Sequence, residues 1–305
     1  EATQTLYAQA AGCEIRFVSD WRPVRMTLIS YSGPVRAYFY MGDFAAGSHT
    51  IGSEPTTIEL SVPAPALLER ADLDRSSLAF APAVWRLLLQ EGEVHLIDIE
   101  GERVRPPHRD ELPSLRYLAY GTSITQGYSA THPALSYVRQ TAWRLRADAI
   151  NLGASGTAYC EPALARYVAA RDDWDFASLC LSVNMLNQGV PAAEFRERAA
   201  YFVRTLAAAH PAKPIVCISV LPSFLDLGLR MPNRHPTSTP DEYRRVLKDI
   251  ADDAALPNVH YVDGRELLSS MYGHSHDLLH PDDQGMIEIG EKLAAVVRPL
   301  LKGMR

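Results

Sequence analysis

The feature that most constrains this chain is a change of hydrophobic rhythm about a third of the way along it. Between residues 13 and 104, apolar and polar residues alternate in short runs: EIRFV, VRMTLISY, VRAYFYM, TTIELSV, VWRLLL and VHLIDIE, broken by Gly, Pro, Ser and Asp. Such alternation turns one face of each run toward a core and the other toward water, and turn residues at this spacing predict an antiparallel sandwich. Helical spacing there is confined to a stretch around Ala66 to Ala71. After the charged, proline-rich GERVRPPHRDELPSL, strand-like apolar runs alternate with amphipathic segments. RYLAY, ADAINLG, FASLCLSV, PIVCISV and NVHYV read as buried strands. Phe195, Ala199, Phe202 and Leu206 keep helical spacing, and Thr239 with Pro240 starts a helix bearing Tyr243, Val246, Leu247 and Ile250. Strand-helix alternation predicts a parallel sheet covered on both faces, and five strands predict a flavodoxin-like, three-layer α/β domain. The expected organisation is an all-β, jelly-roll-like sandwich over residues 1–108 and an α/β domain over 109–305.

With 305 residues, 47% of them hydrophobic and 22% charged, the chain can bury two cores and is not expected to be disordered. A formal net charge of -6 argues against the broad basic surface that nucleic-acid binding requires. No apolar run is long enough to span a bilayer, so neither nucleic acid nor membrane is an expected partner. The first residues lack the charged-then-apolar pattern of a secretory leader, although Glu1 stands where an initiator Met would, which leaves room for a removed upstream segment. The four cysteines, at 13, 160, 180 and 217, lack metal-type pairing and disulfide-scaffold density. Cys180 and Cys217 lie in apolar runs and read as buried hydrophobes, which fits a reducing cytoplasm.

The sharpest chemical signal is YGTSITQG, where a buried strand ends at Tyr120 and a Gly-Thr-Ser turn leads into a helix. Ser123 there can present its hydroxyl while its own N–H faces a developing oxyanion; Gly and Ser also fill many innocent turns. A serine hydroxyl needs a base to become nucleophilic. HDLLHPDDQG supplies one in His280, with Asp277 three positions earlier, so that on one helical turn or in a tight loop the carboxylate can orient the imidazole and compensate the charge it gains. Pro281 is expected in the first turn of the helix carrying Ile287, Ile289, Leu293 and Val296. The competing readings are that His280 caps that helix, or that His274, His276, Asp277 and His280 hold a metal; no metalloprotease motif accompanies them. Gly153, ending NLG, and Asn184, in SVNML, serve either as oxyanion donors or as punctuation at strand ends.

YGTSITQG, NLGASG, SVNML and the final DLLHP, in this order and at these strand ends, resemble the SGNH or GDSL hydrolase family over about residues 116–301. The resemblance implies that Ser123 is the nucleophile, that Gly153 and Asn184 join the Ser123 N–H as oxyanion donors, and that Asp277 and His280 form the family's D-x-x-H-P block. It also looks like the branch that carries a β-sandwich in front of the hydrolase domain. The family chemistry requires no metal or organic cofactor. Thr122 stands where the family name has Asp, while Ser182 and Met185 replace the Gly and Asp that often flank the asparagine, so these positions bear on substrate choice.

The function expected from this is an esterase acting on a small acyl ester, such as an acetylated sugar. The alternatives are an acyltransferase with the same triad, and a catalytically silent glycan-binding protein. Thr122, Met185, Phe224 and Arg230 are the candidate substrate contacts. The last two belong to the irregular segment 221–239, which also carries Leu225, Leu227, Leu229, Met231 and His235 and is expected to border the acyl or alcohol pocket. Trp21, Tyr38, Phe39 and Trp85 form either a ligand platform or part of the sandwich core.

Overall fold

The computed structural model describes residues 9–61, 67–232 and 234–303; the N-terminal residues read above for a leader lie mostly outside the described residues, and Ala66 lies outside them too. The chain divides into two compact units, one running to Ser114 with Arg146–Asp148, the other holding Leu115–Leu145 and the residues from Ala149 onward.

The first unit contains β1 (Glu14–Val18), β2 (Val24–Ser30), β3 (Val35–Met41), β4 (Phe44–Ile51), β5 (Thr56–Leu60), the single turn α1 (Leu67–Arg70), β6 (Val84–Leu89) and β7 (Val94–Gly101). They form two antiparallel sheets, ordered β1-β6-β3-β4 and β5-β2-β7. Met26, Leu28 and Ile58 from one sheet share a core with Phe17, Phe39, Trp85 and Leu87 from the other, which makes the pair a sandwich. Phe39 and Trp85 are therefore core residues; Trp21 packs against that core half-buried, and the Tyr38 hydroxyl donates to the Gln90 side chain at 3.3 Å.

Alternation does not show β4, whose sequence FAAGSHTI is small and polar and which lies at a sheet edge with mostly exposed side chains. An edge strand with little to bury carries no period-two signal. The inner strand β6 is buried along its whole length, including Arg86. That guanidinium is accommodated by an ion pair with Glu14, a 3.0 Å bond to the Gly42 carbonyl and the Phe80 ring 3.7 Å away.

The second unit is built on β8 (Leu115–Gly121), β9 (Ala147–Gly153), which belongs to it from Ala149 onward, β10 (Phe176–Cys180), β11 (Ile215–Ile218) and β12 (Val259–Val262). Their order is β12-β11-β10-β8-β9, with β8, β11 and β12 paired in parallel through β10 and β11; this is the flavodoxin-like order. One face packs Leu118, Leu179 and Cys217 against α4 (Pro162–Ala169), α6 (Ala192–Ala209) and α7 (Pro240–Ala251), and Phe195, Ala199, Phe202 and Leu206 are the buried stripe their spacing predicts. Thr239 and Glu242 form a reciprocal cap at the start of α7, their bonds being 3.2 and 2.7 Å. The other face carries Tyr117 and Ser178, joined at 2.5 Å, beside α3 (Tyr137–Leu145), which packs on α9 (Asp283–Leu300), the helix that follows the single turn α8 (Gly264–Leu267). No helix among the described residues is long and apolar enough to cross a membrane.

Candidate active site

The order of the sheet reverses beside β8, between β9 and β10, and open α/β sheets bind ligands at the carboxyl ends of strands at such a point. β8 ends at Gly121, and Ser123 opens the short helix α2 (Ser123–Gln126) immediately beyond it. Ser123 is 5% exposed, held where the chain leaves the sheet. β10 ends at Cys180, and α5 (Val183–Asn187) carries Asn184 from the neighbouring strand end.

His280 comes from a tight loop. Leu278 N–H donates to the Ser275 carbonyl at 3.0 Å, and Ser275 N–H donates to the His280 carbonyl at 2.8 Å. Asp277 Oδ1 accepts from the Ser275 hydroxyl at 2.8 Å and from the Leu279 and His280 N–H groups at 2.9 Å each. Asp277 Oδ2 lies 2.5 Å from His280 Nδ1. Burial alone would raise the Asp277 pKa, but these hydrogen bonds, those from His280 foremost, outweigh it and hold the carboxyl well below the usual carboxylate range. An ionised carboxylate only accepts, so Nδ1 carries the ring proton and Nε2 offers its lone pair. Ser123 Oγ lies 2.8 Å from that Nε2. Hydroxyl, imidazole and carboxylate thus form one hydrogen-bonded line, able to move a proton off the serine.

Pro281 does not open the following helix. It pairs with His274 in an isolated antiparallel bridge, and Asp282 is the N-cap of α9, its carboxylate accepting Gly285 N–H at 2.9 Å. His280 therefore stands ahead of the helix rather than capping it. His274 Nε2 donates to the Pro222 carbonyl at 2.8 Å, and His276 is exposed. Among the described residues no group of three or more His, Cys, Asp or Glu is placed to hold a metal ion. Cys180 and Cys217 are buried free thiols, which burial pushes up to about 12.

Asn184 is oriented by its surroundings. Its Oδ1 accepts Ala158 N–H at 3.2 Å, which assigns the amide and leaves Nδ2 as its donor end. Gly153, the sequence candidate for a second donor, is engaged elsewhere: its N–H donates to Asn151 Oδ1 at 2.9 Å, and Asn151 Nδ2 donates to the Thr125 carbonyl at 2.8 Å. A Cβ at Gly153 would run into the Gln126 backbone, so this glycine lets β9 pack against the helix behind Ser123. Gly156, passed over inside the same NLGASG string, stands in a turn with φ +70° and open space beside it, two residues before the amide that holds Asn184. Only the left-handed backbone requirement of that turn could have singled it out in sequence.

The four candidate substrate contacts separate. Thr122 is fully buried and caps α2, its hydroxyl accepting Ile124 N–H at 3.4 Å. Met185 is fully buried in the core between sheet and helices. Neither side chain faces solvent at the site, because residues 121–125 and 181–187 are buried throughout. Phe224 is buried, with its N–H donating to the Leu278 carbonyl at 2.7 Å, so segment 221–239 touches the histidine loop through its backbone. Arg230 is exposed, while Leu227, Leu229 and Met231 are each about half exposed on the same segment. A contact that sequence reading missed is Tyr128, whose ring lies 4.6 Å from that of His280, 56% exposed, and whose N–H donates to the Ser123 carbonyl at 2.9 Å.

The family model described as GDSL-like Lipase/Acylhydrolase matches residues 119–286, more than half of the chain. The chain belongs to this family. A search of curated proteins finds no significant match. Among solved structures, the chain is similar to the salicylyl-acyltransferase SsfX3 from a tetracycline biosynthetic pathway, with a TM-score of 0.78, 18% identity, and coverage of 98% of this chain and 86% of that one. It is also similar to a family two carbohydrate esterase from Clostridium thermocellum in complex with cellohexaose, with a TM-score of 0.64, 15% identity, and coverage of 94% and 91%. A third is the acetyl xylan esterase Est2A from Butyrivibrio proteoclasticus, with a TM-score of 0.63, 12% identity, and coverage of 94% and 90%. At these identities the likeness is one of fold, and it extends over both units of this GDSL-family chain.

Ser182 departs from the glycine common at its position in GDSL hydrolases, and the structure shows a cost. It sits at φ +109°, ψ -46°, a region L residues rarely adopt, and its buried Oγ has no hydrogen-bond partner among the described residues. Strain of about 1–3 kcal/mol and a desolvated hydroxyl outweigh the roughly 0.5–1 kcal/mol of extra chain entropy that glycine brings. Ser182→Gly is expected to raise the thermal midpoint by about 2 °C or more. An unchanged or lower midpoint in a scanning calorimeter would show that the strain is compensated.

Proposed function

We propose that this chain is a serine esterase that removes a small acyl group, such as acetyl, from an ester through an acyl-enzyme on Ser123, with residues 109–305 as the catalytic domain behind a sandwich domain of residues 1–108. The observation that carries the reading is the unbroken line from Ser123 Oγ to His280 Nε2 at 2.8 Å and from His280 Nδ1 to Asp277 Oδ2 at 2.5 Å. Ser123 Oγ attacks the ester carbonyl as its proton passes to Nε2, and the carbonyl π electrons move onto the oxygen. Asn184 Nδ2, the Ser123 N–H and the Gly156 N–H, which replaces Gly153 in this role, are the proposed donors to that oxyanion. Collapse expels the alcohol, which takes the proton from His280. Water, deprotonated by His280, then attacks the acyl-enzyme, and a second collapse returns the proton to Ser123 Oγ and releases the acid.

Ile124, Val183 and Leu279, each next to a site residue in the chain, line a narrow apolar recess with Leu221, which we take as the acyl side. The alcohol leaves on the side of His280, where the exposed face of Tyr128 offers an aromatic surface of the kind that packs on sugar C–H groups. Together with the carbohydrate esterases that share the fold, this favours an acetylated sugar as substrate. Tyr128→Ala is expected to raise KM for acetylated xylo-oligosaccharides about tenfold while leaving p-nitrophenyl acetate nearly unaffected. Equal effects on both substrates would remove the sugar assignment.

Acyl transfer is the second reading, supported by the apolar surface of Leu227, Leu229 and Met231, against which a hydrophobic acceptor alcohol could displace water, and by the fold shared with an acyltransferase. The deciding experiment measures turnover of short-chain chromogenic esters and the ratio of hydrolysis to transfer products across sugar and aromatic acceptors. Hydrolysis as the dominant product supports the esterase, and a dominant transfer product replaces it. Glycan binding without turnover of any ester would favour the silent binding protein. Asn184→Ala is expected to lower kcat by about a hundredfold to a thousandfold with KM little changed. A change confined to KM would exclude Asn184 as an oxyanion donor.

A further inference from the structure

The contacts behind His280 lead out of the site and end on an ion pair between a buried arginine, Arg244, and the surface carboxylate of Asp226. Arg244, on α7, is only 3% exposed. Its Nε donates to the Val220 carbonyl at 3.0 Å, just beyond the end of β11. Its Nη1 and Nη2 donate to the two carboxylate oxygens of Asp226 at 2.6 and 3.0 Å, and Nη1 also reaches Asp241 at 3.0 Å. Asp226 accepts Ser223 N–H at 3.0 Å, while its own N–H donates to the Ser223 carbonyl at 2.9 Å, which closes a turn.

Two bonds join this turn to the loop that carries the histidine. Phe224 N–H donates to the Leu278 carbonyl at 2.7 Å, and His274 Nε2 donates to the Pro222 carbonyl at 2.8 Å. The first of them falls on Leu278, a non-glycine residue at φ +53°, between Asp277 and His280. A strained residue keeps its conformation only where its surroundings hold it.

We infer that Arg244 and Asp226 are positioning residues: their ion pair holds the turn around Pro222–Phe224 against the Asp277–His280 loop and so sets where the imidazole stands relative to Ser123 Oγ. Neither side chain hydrogen-bonds to Ser123, Asp277 or His280, so the influence runs through the backbone. Anchoring of α7 is already supplied by its apolar face, where Tyr243 stacks on Phe195 of α6 with ring centroids 4.2 Å apart inside the buried core. The buried fork is directed instead at the loop carboxylate and the carbonyl after β11, where a bidentate pair fixes geometry as well as charge. The inference rests on the esterase reading for its kinetic readout.

The test uses the full chain. Asp226→Ala leaves Arg244 its bonds to Asp241 and Val220, so the buried cation keeps partners, and Asp226→Asn preserves the shape of the side chain. In both, with thermal midpoints above the assay temperature, kcat for p-nitrophenyl acetate is expected to fall about tenfold with KM within about twofold of the parent, because a small misplacement of the base weakens catalysis steeply. Asp226→Glu is expected to recover part of the loss. The low-field proton resonance of His280 Nδ1–H is expected to shift or broaden in Asp226→Ala and Asp226→Asn. Folded variants with kcat within about twofold of the parent and an unchanged resonance would overturn the inference. If the parent itself turns over no ester, the esterase reading fails, and the resonance decides alone: a shift supports positioning, and no shift overturns it.

Discussion

Replacing Ser123 by alanine is expected to abolish covalent labelling by a fluorophosphonate and to lower ester turnover by about 10⁴-fold or more. The expectation follows from geometry. Among the described residues, the hydroxyl hydrogen-bonded to His280 Nε2 is that of Ser123, 2.8 Å away, at the first turn of α2. A residual rate above that of water is expected to persist, because the proposed oxyanion donors remain. The substitution removes one oxygen from a residue that makes no other side-chain hydrogen bond among those described, so the thermal midpoint should stay close to that of the parent. A labelled, active Ser123→Ala protein would place the nucleophile elsewhere in the chain.

The second large effect is expected from Asp277→Asn, a loss of about 10³- to 10⁴-fold in kcat. Oδ1 of Asp277 holds three donors, the Ser275 hydroxyl and the Leu279 and His280 N–H groups, and an asparagine carbonyl can keep them. The amide NH2 then falls where Oδ2 stood, facing His280 Nδ1. A donor facing a donor drives the ring proton to Nε2, the atom that has to receive the proton of Ser123. The loop survives and the base is lost. Because the hydrogen bonds keep Asp277 ionised well below the usual carboxylate range, acid does not reproduce this variant within ordinary assay conditions. The stability these bonds contribute is present above the ordinary carboxylate pKa and is lost only as pH falls through the depressed value. Turnover within about tenfold of the parent would show that the imidazole is oriented by its other contacts.

Much of the architecture is legible from local pattern. Strands that bury one face, such as β2 and β3, announce themselves by alternation, and α6 by its stripe of Phe195, Ala199, Phe202 and Leu206. The Thr239–Pro240 start of α7 is a capping signal contained in four residues. β4 is silent for the complementary reason, since a small, polar edge strand buries almost nothing. In the candidate site, Ser123, Asp277 and His280 are legible because each proposed role demands a particular residue type, and the structure brings the three side chains together across 157 positions of chain. Asn184 is legible as an amide at a strand end, but the direction of that amide depends on Ala158.

The order of residues is enough for the two rhythms, the five-stranded α/β plan and the residue types able to do acyl chemistry, because periodicity and turn chemistry act over a few residues at a time. Tertiary structure alone decided that Gly153 is spent on packing and Gly156 is open, that Thr122 and Met185 face the core, that Tyr128 stands over the imidazole and that Arg244 reaches Asp226. The physical reason is that a backbone N–H or a side chain becomes available to a substrate only when no other group has claimed it, and the claimants arrive from distant parts of the chain.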